Sequence, residues 1–511
     1  MPLRLLCTVF MALPWLWPVT AGPAAPMVPY LASVTAGALL LASWPAGQKE
    51  DSAVIATSSW LSAALLSSGI GLLQYFDLEA AFYPWVNIAR PGLAFGNLRQ
   101  PNQLASLLVI GMLALRWLAQ VQRLNPQNAA WMGGLLLVGL AATGSRAGLT
   151  ELLIIGAVML WWSHAPRGTS TTQACSGEAP QPPGHRASPI AWAGAAMAVY
   201  LLAAVALPAL LEITQGVSSG RDVIKRLLTA ESICGSRLTL WRNVLHLISL
   251  KPWVGWGWGE LDYAHYITLY DSPRFCNILD NAHNLPLHLA VELGAPVALA
   301  TCALVGWWFW RGKPWAEKDA TRQLAWGVLG AIGIHSMVEY PLWYGPFQLA
   351  AIWCVWILWQ PRGATPAVLY RPSWLTRRAV SAIMLMAVAY VAWDYHRISQ
   401  LFLPAEKRAT AYRVNTRAYA ERSWLFADVV RFASVTTQPA TLETAPRLLP
   451  AALAALHFSP EPRTIIRVIE SASLLGQDDL ALAHMARFRA AFPREYLDWT
   501  TASAGAAGAA P

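Results

Sequence analysis

The chain has 511 residues, 56% of them hydrophobic and only 13% charged, against about a quarter charged in an average soluble domain. So few charges cannot cover a water-soluble protein of this size. The formal net charge of +9 is spread over short segments rather than gathered into a stripe, which argues against a nucleic-acid partner and fits the loops of a membrane protein. Apolar runs of roughly 15 to 25 residues recur, long enough to cross a hydrocarbon core of about 30 Å as helices. Tryptophans gather near their ends, as at Trp15 and Trp17, Trp161 and Trp162, and Trp307, Trp308 and Trp310, where an amphipathic ring prefers the headgroup level.

In chain order the expected spans are Leu3 to Trp17, Tyr30 to Trp44, Ala53 to Phe76, Asn102 to Ala119, Ala129 to Ala142 and Ala147 to Trp162. They continue as Ile190 to Leu211, Leu287 to Trp310, Leu324 to Met337, Pro346 to Trp359 and Ala379 to Trp393. This gives an all-α polytopic protein of about eleven transmembrane helices. The first run, followed by small residues from Thr20 to Ala25, also fits a cleaved signal peptide. Alternate short loops hold Lys49, Arg116 and Arg123, Arg167 and Arg186, Arg311 to Arg322, and Arg362 to Arg378, so these are expected to face the cytoplasm. The opposite, periplasmic side then receives the stretch around Arg99, the turn Gly144 to Arg146, a large loop at residues 212–284, the turn Glu339 to Tyr344, and everything after Asp394. The inner membrane of a bacterium is the expected location, with the N-terminus cytoplasmic.

Three parts are expected: N-terminal helices at 1–76, a membrane core at 77–395 that includes the loop, and a soluble helical domain at 396–511. That tail has helical periodicity and ample charge. Thr464 to Leu475 and Asp479 to Ala491, joined by Gly476-Gln477-Asp478, resemble a tetratricopeptide hairpin. Ala502 to Pro511 reads as a disordered end. Of the six cysteines only Cys234 and Cys276 share a loop; bridged, they would close a ring of about 40 residues, and otherwise they are two separate thiols.

Four polar clusters fall at the same membrane face. The first is Phe95 to Gln103, with Arg99, Gln100 and Asn102 at the mouth of a span; the second is Thr143 to Gly148, with Arg146 at the membrane edge and Glu151 one turn deeper. A charge at such depth is costly unless paired or hydrated, so an ion pair is expected there. The third fills the large loop: Arg237 and Trp241 share a helix face, Lys251 to Gly259 alternates Trp with Gly, and Asp280-Asn281-Ala282-His283-Asn284 closes it. The glycines allow close backbone approach to a ligand or headgroup, although the same alternation suits a membrane-surface anchor. The fourth runs from His335 to Tyr344, with His335 and Glu339 spaced i, i+4. Several arginines with a histidine and a carboxylate suit a lipid diphosphate, since guanidinium forks match phosphate oxygens and stabilise a departing diphosphate. Neither an Asp-x-Asp pair nor zinc spacing is found in these loops, so no metal and no cofactor is expected.

At these residues the sequence resembles the O-antigen ligase superfamily, most closely its bacterial protein O-oligosaccharyltransferase branch. The match is carried by Gly96, Gln100 and Asn102, by Ser145-Arg146, and by Arg237, Trp241, Pro252, Gly255 and Gly257. It continues through Ala282-His283-Asn284, Glu292-Leu293-Gly294 and His335 to Tyr344. The resemblance implies transfer of a glycan from undecaprenyl diphosphate to a hydroxyl acceptor in the periplasm, with His283 in the catalytic role. Arg146, Arg237 and Arg99 are the expected diphosphate ligands, supported by Gln100, Asn102, Asn284, His335 and Glu339. The expected acceptor is a pilin or other periplasmic protein, held by the tetratricopeptide-like tail. Compared with the family, the chain looks short before its first cluster, and Gly144 stands where some relatives have Asn. The lipid A core as acceptor, glycan polymerisation, and a lipid or solute transporter are the competing readings, although transport would place ionisable groups nearer the midplane.

Overall fold

The computed structural model describes residues 2–44, 49–164, 188–217, 233–362 and 373–508. Arg167, Cys175, Arg186 and Arg371 lie outside these residues, as does the stretch 218–232 of the large loop. Among the described residues no strand occurs. The helices run in order as α1 (Pro2–Leu16), α2 (Met27–Ser43), α3 (Lys49–Tyr75), α4 (Pro101–Gln120), α5 (Pro126–Ala142), α6 (Arg146–His164) and α7 (Pro189–Gln215). The loop contains α8 (Arg237–Leu250), α9 (Leu261–Ile267) and α10 (Leu285–Leu293), and is followed by α11 (Ala295–Gly312), α12 (Ala320–Ser336), α13 (Gly345–Trp359) and α14 (Trp374–Ser399). The tail adds α15 (Thr416–Ala420), α16 (Ala427–Thr437), α17 (Ala445–Leu456), α18 (Pro462–Leu474), α19 (Asp478–Ala491) and α20 (Pro493–Gly508). They form two compact units, one of residues 1–20, 25–230 and 308–388, the other of 21–24, 231–307 and 389–511.

In the first unit α4 is the central helix, packed against α3, α5, α6 and α12. Its start is set by Pro101, which has no N–H to leave unsatisfied in a first turn, behind Gln100 in extended conformation. From Leu104 to Ala114 every residue but Met112 is buried. The outer helices differ: Leu202, Val205 and Ile213 of α7, and Ile383 and Met386 of α14, are exposed. Apolar faces of that extent are a liability in water and are solvated by lipid acyl chains. Among the described residues five helices are long and apolar enough to cross a membrane, Asp51–Tyr75, Pro101–Gln120, Arg146–His164, Pro189–Gln215 and Trp374–Phe402, while Leu3–Leu16, Met27–Ser43 and Gly345–Trp359 are shorter apolar helices. The secondary structure of the described residues is helical throughout, with apolar helices that fit a membrane protein.

Each expected apolar run is helical, but the one from Leu287 to Trp310 is interrupted at Gly294, where φ is +91°. The cause lies forty residues earlier. Trp256 N–H donates to the Val291 carbonyl at 2.9 Å, Gly257 N–H to that of Glu292 at 3.0 Å, and Ala295 N–H to that of Pro252 at 2.8 Å. A Cβ on Gly294 would sit 2.2 Å from the Trp253 oxygen, and one on Gly255, whose φ is +68°, 2.4 Å from the Glu292 carbonyl. The close approach allowed by these glycines is therefore to the end of α10. The side chains of Trp253, Val254 and Trp258 stay exposed.

The second unit has two cores. One, within the loop, gathers Leu240, Val244 and Leu247 of α8 with Leu261, Phe275 and Val291. Cys234 and Cys276 are joined by a disulfide beside it. The other gathers Leu448 and Leu456 of α17, Ile465 and Val468 of α18, and Phe488 of α19. The hairpin of α18 and α19 turns at Gly476, in the left-handed region at φ +68°. The end beyond Ala502, expected to be disordered, continues α20 to Gly508, in keeping with alanine's helix propensity.

Gly294→Ala should lower the unfolding temperature of the purified protein in detergent, by an amount worth about 1–3 kcal/mol. Gly306→Ala should leave it unchanged, because a Cβ there meets nothing within 4 Å. Thiol labelling of the unreduced protein should spare Cys234 and Cys276, and reduction should expose both and cost the loop about 4 kcal/mol in the chain-entropy model.

Candidate active site

The first centre is built where α4 and α6 begin and α12 ends. The stretch before α4 is folded around Gln74, whose side-chain oxygen accepts from Phe95 N–H at 3.1 Å and Gly96 N–H at 2.8 Å, while its amide donates to the Gly96 carbonyl at 2.9 Å. Asn97 ties the same stretch down by donating to the carbonyls of Leu16 and Trp85 at 2.8 and 2.9 Å. Arg99 is left exposed with φ +63°, its guanidinium donating to the Pro18 carbonyl at 2.7 Å and to Asn87 Oδ1 at 2.9 Å. Gln100 precedes the helix with its Oε1 buried.

Asn102 joins the three helix ends. Its Oδ1 accepts from the Ser145 hydroxyl at 2.7 Å, and its Nδ2 donates to Glu339 Oε1 at 3.1 Å. Ser145 is fixed in turn because its Oγ accepts from Gly148 N–H at 2.9 Å in the first turn of α6. Arg146, half-buried, is the next residue and opens that helix. One turn deeper on α4, Ser106 lies between Glu151 of α6, at 2.7 Å, and His335 Nδ1 of α12, at 2.8 Å. A hydroxyl has one proton to give. When Ser106 donates to Glu151, the imidazole must donate from Nδ1; when it donates to His335, the carboxyl must be the donor. Protonation at Glu151 and at His335 is thereby coupled through one oxygen. Glu151 Oε2 and His335 Nε2 are buried with no hydrogen-bond partner among the described residues.

Within the second cluster Glu151 is met by Ser106 of α4. The side chains of His335 and Glu339 each engage α4, at Ser106 and at Asn102. Ser106 escaped the sequence reading, since one serine in an apolar run is ordinary. The available signal was its spacing, four residues after Asn102 and so on the same helix face.

The second centre lies in the loop. Ser236 caps α8, its Oγ accepting from Thr239 N–H at 3.2 Å, so Arg237 opens that helix. One turn on, Trp241 Nε1 donates to the Ala282 carbonyl at 3.1 Å. The next residue is His283, half-buried, with φ +48°. This left-handed backbone is uncommon for a residue with a Cβ, and such strain persists only where the surroundings impose it. Here buried Asn281 imposes it, its Oδ1 accepting from His283 N–H at 2.9 Å. Asn284 then caps α10, accepting from Leu287 N–H at 3.1 Å. Within α10 the buried pair His288 and Glu292 approaches to 3.5 Å. Elsewhere in the loop His265 is held by Tyr270 OH at 2.8 Å and the Phe275 carbonyl at 3.1 Å, and burial pushes its pKa down to about 3.

Arg99, Gln100, Asn102, Arg146, His335 and Glu339 thus belong to the first unit, and Arg237, His283 and Asn284 to the second. Comparison with known proteins covers both. The chain matches the family models for a protein glycosylation ligase over residues 94–119, for an O-antigen ligase over 131–302, and for the C-terminal part of a virulence factor membrane-bound polymerase over 323–506. It is also 25% identical over 355 residues to a general O-oligosaccharyltransferase of Acinetobacter baylyi, a match that takes in 67% of this chain and 57% of the relative. The chain therefore spans little more than half the length of that relative.

Ser106→Ala would strip Glu151 and His335 of their shared partner and should cost about 1–3 kcal/mol, read as a lower unfolding temperature. A double-mutant cycle between Ser106→Ala and His335→Ala should show coupling of at least about 0.5 kcal/mol; strict additivity would mean that the bond contributes nothing.

Proposed function

We propose, from the premise that this chain is a relative of the O-antigen ligases on their protein-glycosylating side, that it transfers an oligosaccharide from undecaprenyl diphosphate to Ser or Thr hydroxyls of proteins. The reaction takes place at the periplasmic face of a bacterial inner membrane, in a chain that crosses it about eleven times. Arg146, Arg237 and Arg99 bind the diphosphate, and His283 takes the acceptor proton. In the step itself the hydroxyl oxygen bonds to the anomeric carbon as that carbon's bond to the diphosphate breaks. The diphosphate leaves with the electron pair, the arginines spread its charge, and His283 accepts the proton.

The observation that carries this reading is the convergence of Asn102, Ser145 and Glu339 from three distant parts of the sequence, immediately beside Arg146, with every one of these residues inside a segment matched to a glycan-transferring family. A structural polar knot alone would not account for matches that also take in the strained His283. Support for a protein acceptor comes from the glycosylation-ligase match and from the Acinetobacter relative. A second reading, glycan polymerisation, is favoured by the match over residues 323–506 to a membrane-bound polymerase.

In a reconstituted assay His283→Ala should lower transfer about 10²–10⁴-fold without loss of expression, and near-normal transfer by that variant would remove the histidine from the mechanism. Arg146→Lys and Arg237→Lys should both weaken donor binding, because a point charge does not reproduce the bidentate fork.

A further inference from the structure

The short helix α9 has two buried faces, and they belong to different cores. Leu261 and Ala264 enter the core of the loop, whereas Tyr266, 2% exposed, enters the core of the tail with Leu448, Val468 and Phe488. The tail grips it through polar contacts as well. Tyr266 OH meets His484 Nδ1 at 2.8 Å with the two rings stacked at 26°. His457, just past α17, stacks on Tyr263 at 3.8 Å and reaches Glu260 Oε2 at 2.7 Å. Arg487 of α19 donates to the Ile267 carbonyl at 3.0 Å. Both ends and the middle of α9 are therefore fixed by α17 and α19.

From α9 the contacts run on toward His283 without a gap. Arg274 donates to the carbonyls of His265 and Thr268 at 2.7 and 2.9 Å. Phe275 N–H donates to Asn243 Oδ1 of α8 at 2.8 Å, and the neighbouring Cys276 is bridged to Cys234. Trp241, also on α8, donates to the Ala282 carbonyl. A displaced Tyr266 would loosen α9, and with it the packing of Leu261 and Ala264 against α8 and Ala282.

We propose that the C-terminal helical region is a brace for the catalytic loop, with Tyr266 and His484 as positioning residues that keep the backbone at His283 in its strained conformation. The faces of α17 and α19 that meet α9 are occupied by a segment of the chain's own loop. A buried aromatic ring with a hydrogen-bonded tip suits this use: the ring fixes the helix by area, and the hydroxyl fixes its register.

The proposal rests on the transferase reading, and the test separates the two. Full-length protein in nanodiscs is compared as wild type, Tyr266→Ala, Tyr266→Phe and His484→Asn, by amide hydrogen exchange and by transfer kinetics. In Tyr266→Ala, exchange across residues 277–287 should rise while α18 stays protected, and kcat should fall at least tenfold with the acceptor KM unchanged. Tyr266→Phe keeps the ring, and His484→Asn keeps a polar atom near Nδ1, so both should recover most of the rate. Unaltered exchange across 277–287 in Tyr266→Ala would overturn the brace, as would a raised acceptor KM at unchanged kcat, which is the signature of an acceptor groove. If wild type transfers nothing, the transferase reading falls, and the exchange measurement still decides the brace.

Discussion

A polar side chain inside an apolar helix bundle has no water to turn to, and every other feature of the first centre follows from how α4 meets that constraint. Asn102 and Ser106 sit one turn apart on the most enclosed helix of the unit, and each reaches groups on or beside both α6 and α12. An unsatisfied amide or carboxyl at this depth costs several kcal/mol in the apolar limit. The bonds from Asn102 and Ser106 thus do more than add stability: they fix how the ends of α4, α6 and α12 are set against one another. Arg146 inherits its place from that arrangement, since it follows Ser145 directly and Ser145 is pinned from both sides.

The loop solves the opposite problem. It is a long stretch without the apolar area of a full domain, yet it must hold one histidine in a conformation that its backbone resists. A disulfide, a small core around α8, and the back-to-back approach of Gly255 and Gly294 supply the rigidity. The tail adds to it through α9. Strain at His283 is then the local expression of a scaffold distributed over much of the second unit, since a strained backbone persists only where its surroundings over-determine it.

The sequence made part of this plain and hid the rest for identifiable reasons. Polar clusters at the ends of apolar runs and in the large loop stand out by contrast, so Asn102, Ser145, Arg146, Arg237, His283, His335 and Glu339 were visible, and the family resemblance added the role expected of His283. The hairpin at Gly476 was legible because its signals are local. Ser106 was not, because a serine in an apolar helix commonly bonds back to its own backbone, and this one also reaches the Asn102 carbonyl at 3.2 Å. The break at Gly294 was equally hidden, since it is caused by residues 252–257, and a lone glycine in a hydrophobic run is tolerated in a helix. The pairing of Tyr266 with His484 spans 218 residues, and neither carries a pattern that points to the other.

Transfer of a tagged oligosaccharide from undecaprenyl diphosphate by the purified full chain, offered a periplasmic protein, lipid A core and a free glycan chain together, tests the central claim most directly. The expected product is tag on Ser or Thr of the protein, dependent on His283. Tag on the lipid A core or on a lengthening glycan, with none on protein, would contradict it.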